Sequence, residues 1–299
     1  MCLIFFLCFI KSLISVAFIF LSVAFFTLFE RRILGYSHFR FGPNKLFYWG
    51  LLQPISDALR LFIRGDLKFK EVNIFLYLLS PLLGLFLSVF LWGLFPFWGV
   101  LFYFDFSFLM FVIVSGFRVY FVLYRGWVTC TKFSLLGSYR SSAQRVSYEV
   151  VMIICFLILV YWFYSISLFF FFRSLLVSAF FLSLPVIVCW LLSCVAECNR
   201  SPFDFSEGES ELVSGFNTEY GGGLFSLIFV GEYSSIIFLS ILSSLLFFSS
   251  IFFLYFLFFS FLYLWLRCSF PRLRYDCLMM MAWKSLLFLP LLCFFFSLF

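Results

Sequence analysis

Charge is what this 299-residue chain has least of: 11% of its residues are Asp, Glu, Lys or Arg, against about a quarter in a soluble domain. It has one histidine, no Cys-x-x-Cys pair among its 10 cysteines, no Cys/His cluster and no Rossmann or P-loop glycine pattern. These absences exclude the nucleotide-binding motifs and any metal or iron–sulfur cluster of its own, because structural zinc usually takes four thiolate or imidazole ligands. Nothing points to nucleic acid. What the chain has instead is apolar surface: 65% hydrophobic residues, 26% aromatic, with 54 Phe. Too few polar side chains remain to cover a water-facing exterior, so the chain is expected to be an all-α integral membrane protein.

Cys189, Cys194 and Cys198 lie in one apolar stretch and read as packing residues. The Phe bias fits an AT-rich genome whose T-rich codons drift into lipid-facing positions. The amino-terminal run shows no small-residue cleavage site and no Arg-rich transit pattern. Both features point to synthesis inside an organelle.

A helix needs about 20 apolar residues to cross a bilayer. Candidates run over residues 3–29, 74–95, 106–124, 150–172 and 174–196, twice within 224–266, and over 278–299. That predicts about eight transmembrane helices in a single membrane domain, residues 1–299. An even number puts both termini on one side. Segments 30–73, 118–145, 197–222 and 267–284 then share the other side and hold 18 of the 20 Lys and Arg, leaving only Lys11 and Arg173. The positive-inside rule makes these segments the polar loops of the matrix, stromal or cytoplasmic side.

Within Gly50 to Ile63, Leu51, Leu52, Ile55, Leu59 and Phe62 recur at helical spacing, with Asp57 and Arg60 elsewhere on the wheel. This predicts an amphipathic surface helix, either a plain anchor or the roof of an opening at the membrane surface. Arg145 and Glu149, four residues apart, can face each other on one helix. The densest polar stretch is Glu197 to Tyr220, with six of the 14 acids within 23 residues: Glu197, Asp204, Glu207, Glu209, Glu211 and Glu219. Phe203, Phe205, Leu212, Val213 and Phe216 interleave them, unlike a solvated tail. Crowded, partly buried carboxylates repel one another, so some hold protons near neutral pH, as a proton relay requires. Cations between Arg267 and Lys284 can neutralise this segment or attract lipid phosphates.

Glu30-Arg31-Arg32 through Gly42-Pro43-Asn44, Leu51 to Asp57, Ser138 to Glu149, Ala196 to Tyr220 and Arg267 to Lys284 together resemble the subunit 1 family of NADH dehydrogenase, the membrane subunit of respiratory complex I at its junction with the peripheral arm. The run Glu207 to Asn217 is the most specific part. The resemblance implies the eight-helix fold and a passage by which ubiquinone leaves the bilayer for an iron–sulfur cluster in a neighbouring subunit. By position, Arg31, Arg40, Phe216 and Arg274 would be quinone-tunnel residues. Glu149, Glu197, Asp204, Glu207, Glu209, Glu211, Glu219 and Glu232 would form the proton-coupling path. It further implies that this chain binds no cofactor and is not catalytic alone. Ubiquinone would be the substrate, and NADH, FMN and iron–sulfur clusters would reside in partner subunits. The expected partners are the other membrane subunits, the quinone-site subunits of the peripheral arm and membrane lipids, in the mitochondrial inner membrane. The chain departs from the family at Arg32 (usually Lys), at Cys277 (commonly Gln), and at Gly65-Asp66, where Glu often follows the helix.

Two other readings compete: the homologous subunit of a plastid-type or hydrogenase-type complex, and a self-sufficient secondary transporter. Transporters commonly carry internal repeats and mid-membrane sites, whereas this chain shows no repeat and its acids cluster beside the spans. The charge distribution predicts that cysteine-accessibility labelling places Glu207 and Arg173 on opposite faces of the membrane; labelling from one face would refute the topology.

Overall fold

Backbone groups in hydrocarbon have no water to bond, so apolar runs of this length fold as helices. The computed structural model describes residues 2–65, 73–95, 105–163, 166–168, 184–204, 220–248 and 252–298. Among them there is no strand. The helices are α1 (Cys2–Ser37), α2 (Gln53–Ile63), α3 (Ile74–Trp92), α4 (Ser107–Val128), α5 (Lys132–Phe163), α6 (Leu184–Glu197), α7 (Gly222–Phe247), α8 (Phe252–Ser269), α9 (Tyr275–Met280) and α10 (Phe288–Leu298). A π-helical turn, Met281–Leu286, joins the last two, with Leu287 N donating to Ala282 O at 3.0 Å. Six segments are long and apolar enough to span a membrane: Ile10–Ser37, Ile74–Trp92, Ser107–Val128, Lys132–Phe163, Gly222–Phe247 and Tyr275–Ser297. Two shorter apolar helices, Leu184–Glu197 and Phe253–Ser269, accompany them. The expected fifth span is described only from Leu184, and the long run after Leu224 divides into α7 and α8.

The polar segments differ from the loops expected of them. The 36 residues of α1 extend about 54 Å at 1.5 Å per residue, well beyond a hydrocarbon core of about 30 Å. Glu30, Arg31 and Arg32 therefore sit on helix, as does every residue from Lys132 to Glu149 at the start of α5. Between α4 and α5 only residues 129–131 are non-helical. Helix geometry satisfies the backbone of these segments and fixes the direction of each charged side chain.

Helix α7 is the most buried element and packs against α1, α2, α3 and α8. Phe238 at its centre meets the rings of Phe95, Phe111 and Trp92, at centroid distances of 4.7, 5.8 and 6.4 Å. Ser234, Ser240, Ser243 and Ser244 are buried on α7 and donate to carbonyls three residues back, which silences their hydroxyls and leaves small contact surfaces. Helix α4 pairs with α5 and α5 with α6. The α4–α5 hairpin closes at Gly126, where an added Cβ would overlap the Ser138 side chain and stand 2.9 Å from Ser134 O.

Contacts gather the polar stretches at one end of the bundle. Glu30 of α1 pairs with Arg267 of α8, Asp204 with Arg272 at 3.5 Å, and Arg140 lies over the Tyr275 ring at 5.9 Å. Leu273 N donates to Pro202 O at 3.1 Å. Replacing Gly126 with Ala should therefore spread the hairpin at a cost of about 1–3 kcal/mol. A lower thermal-inactivation temperature and less assembled complex on native gels would follow; unchanged values would show that α4 and α5 tolerate separation.

Candidate functional site

The interior between α3, α4, α5, α6 and α7 contains charge where hydrophobic packing would be the default. Arg118 and Arg125 of α4 and Arg145 of α5 are buried, as is Glu197 at the end of α6, while Glu149 and Glu232 are partly exposed. Arg118 and Arg125 are seven residues apart and share a helical face. Room for the second comes from α3: a Cβ on Gly84 would occupy the position of the Arg125 guanidinium. Arg118, Arg125, Arg145 and Glu232 line a cavity of about 20 Å3 with Gly84 and Gly231, sufficient for one water molecule.

These charges interact as one network. Arg145 acts most strongly on Glu197 among the charged groups, followed by Arg118, and Arg118 also acts on Glu149. Glu232 is the principal carboxylate acting on Arg125. Direct contacts fix the periphery. Glu149 Oε1 accepts from Ser115 Oγ at 2.7 Å. Glu232 accepts from Arg200 at 3.5 Å, and the Arg200 guanidinium lies 4.8 Å from the Tyr233 ring centroid. Oriented to satisfy its neighbours, the Asn199 amide oxygen accepts from Arg145 Nε and Nη2 at 3.0 and 3.1 Å. Arg145 therefore turns to the α6 terminus, and its sequence neighbour Glu149 turns to α4. Glu197 Oε1 and Arg125 Nε have no hydrogen-bond partner among the described residues. Four guanidiniums and three carboxylates share this region. At Glu149 and Glu197 burial favours the neutral carboxyl and nearby guanidiniums favour the carboxylate, so the two effects oppose each other.

The turn after α6 is anchored from α5. Gln144 Nε2 donates to Ala196 O and Phe203 O, both at 2.9 Å. Asp204 pairs with Arg272 at 3.5 Å. Just before α7, Tyr220 hydrogen-bonds Ser80 at 3.2 Å and stacks on Tyr77 at 4.7 Å; burial pushes its phenol up, so it stays neutral.

The described residues expected to line the tunnel, Arg31, Arg40 and Arg274, have surroundings of their own. Arg31 pairs with Asp57 of α2, which also accepts from Gln53 at 3.1 Å, and this tie holds α2 against α1. Arg32 donates to Trp49 O and covers its ring at 5.3 Å. Arg40 is exposed after α1, and Arg274 is exposed and paired with Asp276 at 3.3 Å. Phe216, Glu207, Glu209, Glu211 and Glu219 lie outside the described residues. Helix α2 starts at Gln53, buries no residue and leaves Ile55, Leu59 and Phe62 exposed. Sequence reasoning missed the basic half of the network, Arg118, Arg125, Arg145 and Arg200, and the Glu30–Arg267 tie. Two arginines seven apart in an apolar span were the available signal, because such charges must face a partner.

A chain whose described residues are helical, with six helices long and apolar enough to span a membrane, belongs to the class of polytopic all-α membrane proteins. Comparison with known proteins narrows the class. The family model described as NADH dehydrogenase matches residues 10–298. NADH-ubiquinone oxidoreductase chain 1 of Artemia franciscana is 45% identical over 294 residues, covering 95% of this chain and 97% of that one. The Anopheles gambiae protein of the same name is 44% identical, covering 94% and 91%, and that of Paracentrotus lividus 42%, covering 91% and 88%. The chain belongs to the NADH-ubiquinone oxidoreductase chain 1 family, and with it to the membrane subunits of respiratory complex I.

Gln144 offers a direct test of how the site is held. Gln144→Leu keeps the volume approximately but removes the donor to two carbonyls; Ala196 O keeps Asn199 N at 3.2 Å, so the loss of about 1–3 kcal/mol falls on Phe203 O. Hydrogen exchange at residues 198–204 should accelerate, with α7 unaffected. Equal exchange in both proteins would remove Gln144 from the scaffold.

Proposed function

We propose that this chain couples ubiquinone reduction to proton movement through the buried network of Arg118, Arg125, Arg145 and Arg200 with Glu149, Glu197 and Glu232. What supports the proposal is the burial of Arg118, Arg125, Arg145 and Glu197, with the partly exposed Glu149, Arg200 and Glu232 beside them, in one electrostatically connected region near the polar end of the bundle. Reducing a quinone to a quinol takes up two electrons and two protons. Charge near the head group changes with each step, and carboxyls poised between burial and guanidinium fields respond by taking up or releasing a proton. Arg118 and Arg145 set the field at Glu197; Arg125 and Arg200 set it at Glu232. A water in the small cavity between Arg125 and Glu232 would extend hydrogen bonding across the α3–α7 contact. Asp204, with Glu207, Glu209, Glu211 and Glu219, is assigned to the same path by resemblance.

The chain's second role is to wall the quinone's way in. Helix α2 lies against α1 and α7, tied by Arg31–Asp57, with Phe62 beside Gly223. Its exposed apolar side is suited to the bilayer surface, where an isoprenoid tail enters. Arg31, Arg40, Phe216 and Arg274 are assigned to this passage. The head group's chemistry belongs to the peripheral-arm subunits, with NADH, FMN and iron–sulfur clusters. The setting is the mitochondrial inner membrane, with the other membrane subunits as neighbours.

Glu149→Gln and Glu232→Gln keep shape and remove charge. Each should leave assembly and electron transfer from NADH to an artificial upstream acceptor intact and slow quinone reduction about tenfold or more, equivalent to about 1.4 kcal/mol or more on the coupled step. Normal quinone reductase rates in fully assembled variants would make the network purely structural.

A further inference from the structure

A larger cavity than the one in the charge network lies elsewhere. It opens between α1, α3, α7 and α8, with a volume of about 460 Å3, inside the range of small-molecule sites. Residues from Ser12 to Ser22 form one wall, Val89 to Phe95 another, and Ile237, Ile241 and Phe256 complete it. Among the described residues no charged side chain lines it. Two of its serines turn inward on their own helix: Ser15 Oγ donates to Ser12 O and Ser22 Oγ to Ile19 O, each at 2.8 Å. A polar head group would find few partners here, whereas a hydrocarbon chain would lose nothing on entering.

One charge marks the end of the cavity. Lys11 precedes the lining residue Ser12, shares a helical face with Ser15 four residues on, and is exposed. It is the only charged residue of α1 before Glu30. The 19 residues from Lys11 to Glu30 span about 28 Å of helix, close to a full hydrocarbon core. The cavity thus belongs to the leaflet opposite the gathered polar segments, away from α2 and the buried charge network.

We propose that this cavity binds an acyl chain of an anionic phospholipid whose phosphate pairs with Lys11. An ammonium on a flexible stem beside a deep apolar slot complements a phosphate joined to a fatty chain. Such a lipid fills the gap between α1 and the α3–α7 pair and holds α1 against the bundle where no ion pair does so among the described residues.

The assembled complex in its native membrane is exposed to phosphatidylglycerol bearing a diazirine in its acyl chain, or to phosphatidylcholine with the same label, and adducts are mapped by peptide mass spectrometry. Adducts should fall within Ser12–Ser22 and Val89–Phe95, favour phosphatidylglycerol about fivefold and persist in excess ubiquinone; Lys11→Gln should abolish the preference. Absence of adducts on both helices, equal labelling by the two lipids, or retention of the preference in Lys11→Gln would overturn the proposal. So would displacement by ubiquinone, which would mark a quinone-tail channel, or cross-linking of these walls to a neighbouring subunit.

Discussion

An ionised side chain moved from water into a protein interior costs several kcal/mol unless opposite charge and hydrogen bonds receive it. This chain places Arg118, Arg125, Arg145 and Glu197 under that penalty at once, and much of its architecture follows from meeting it. Gly84 gives α3 the thinness that lets the Arg125 guanidinium enter, and Gly126 brings α4 and α5 together so that arginines from both reach Glu197. Gln144 and Asn199 fix the turn that presents the α6 terminus. Removing a single charge leaves its partners stranded in low dielectric, which is why the network acts as a unit.

The same constraint connects structure to coupling. A carboxyl in bulk water is either a solvated anion or an acid with no memory of its neighbours. At Glu149 and Glu197 burial and guanidinium fields oppose each other, so each carboxyl answers to the charge of its neighbours. The aromatic core around Phe238 and the silenced serines of α7 form the rigid frame on which these positions are held.

Much of the fold was legible in the sequence because hydropathy reports length and hydrocarbon compatibility directly. The apolar runs became helices and the amphipathic pattern became α2. Helix ends were less legible: residues 30–37 and 132–149 are polar enough to read as loops, yet they remain helical because packing at the polar end fixes them. Of the site, Glu149, Glu197 and Glu232 were visible as acids in or beside apolar runs. Their arginine partners were not, because the contacts join α4, α5 and α6 across residues far apart in sequence. Arg145 illustrates the limit, since its position suggested Glu149 and tertiary packing gave it Asn199. Asp204 was visible as one more member of the acidic group, and its ion pair with Arg272, 68 residues on, was not.

The central claim is that these buried carboxyls change protonation when quinone is reduced. Redox-triggered infrared difference spectroscopy on the assembled complex measures this most directly. Quinone reduction should produce a protonated-carboxyl band that shifts in deuterated water and disappears in Glu197→Gln, with the spectrum otherwise preserved. An identical carboxyl band in Glu197→Gln, Glu149→Gln and Glu232→Gln would contradict the account, because the protons would then reside elsewhere.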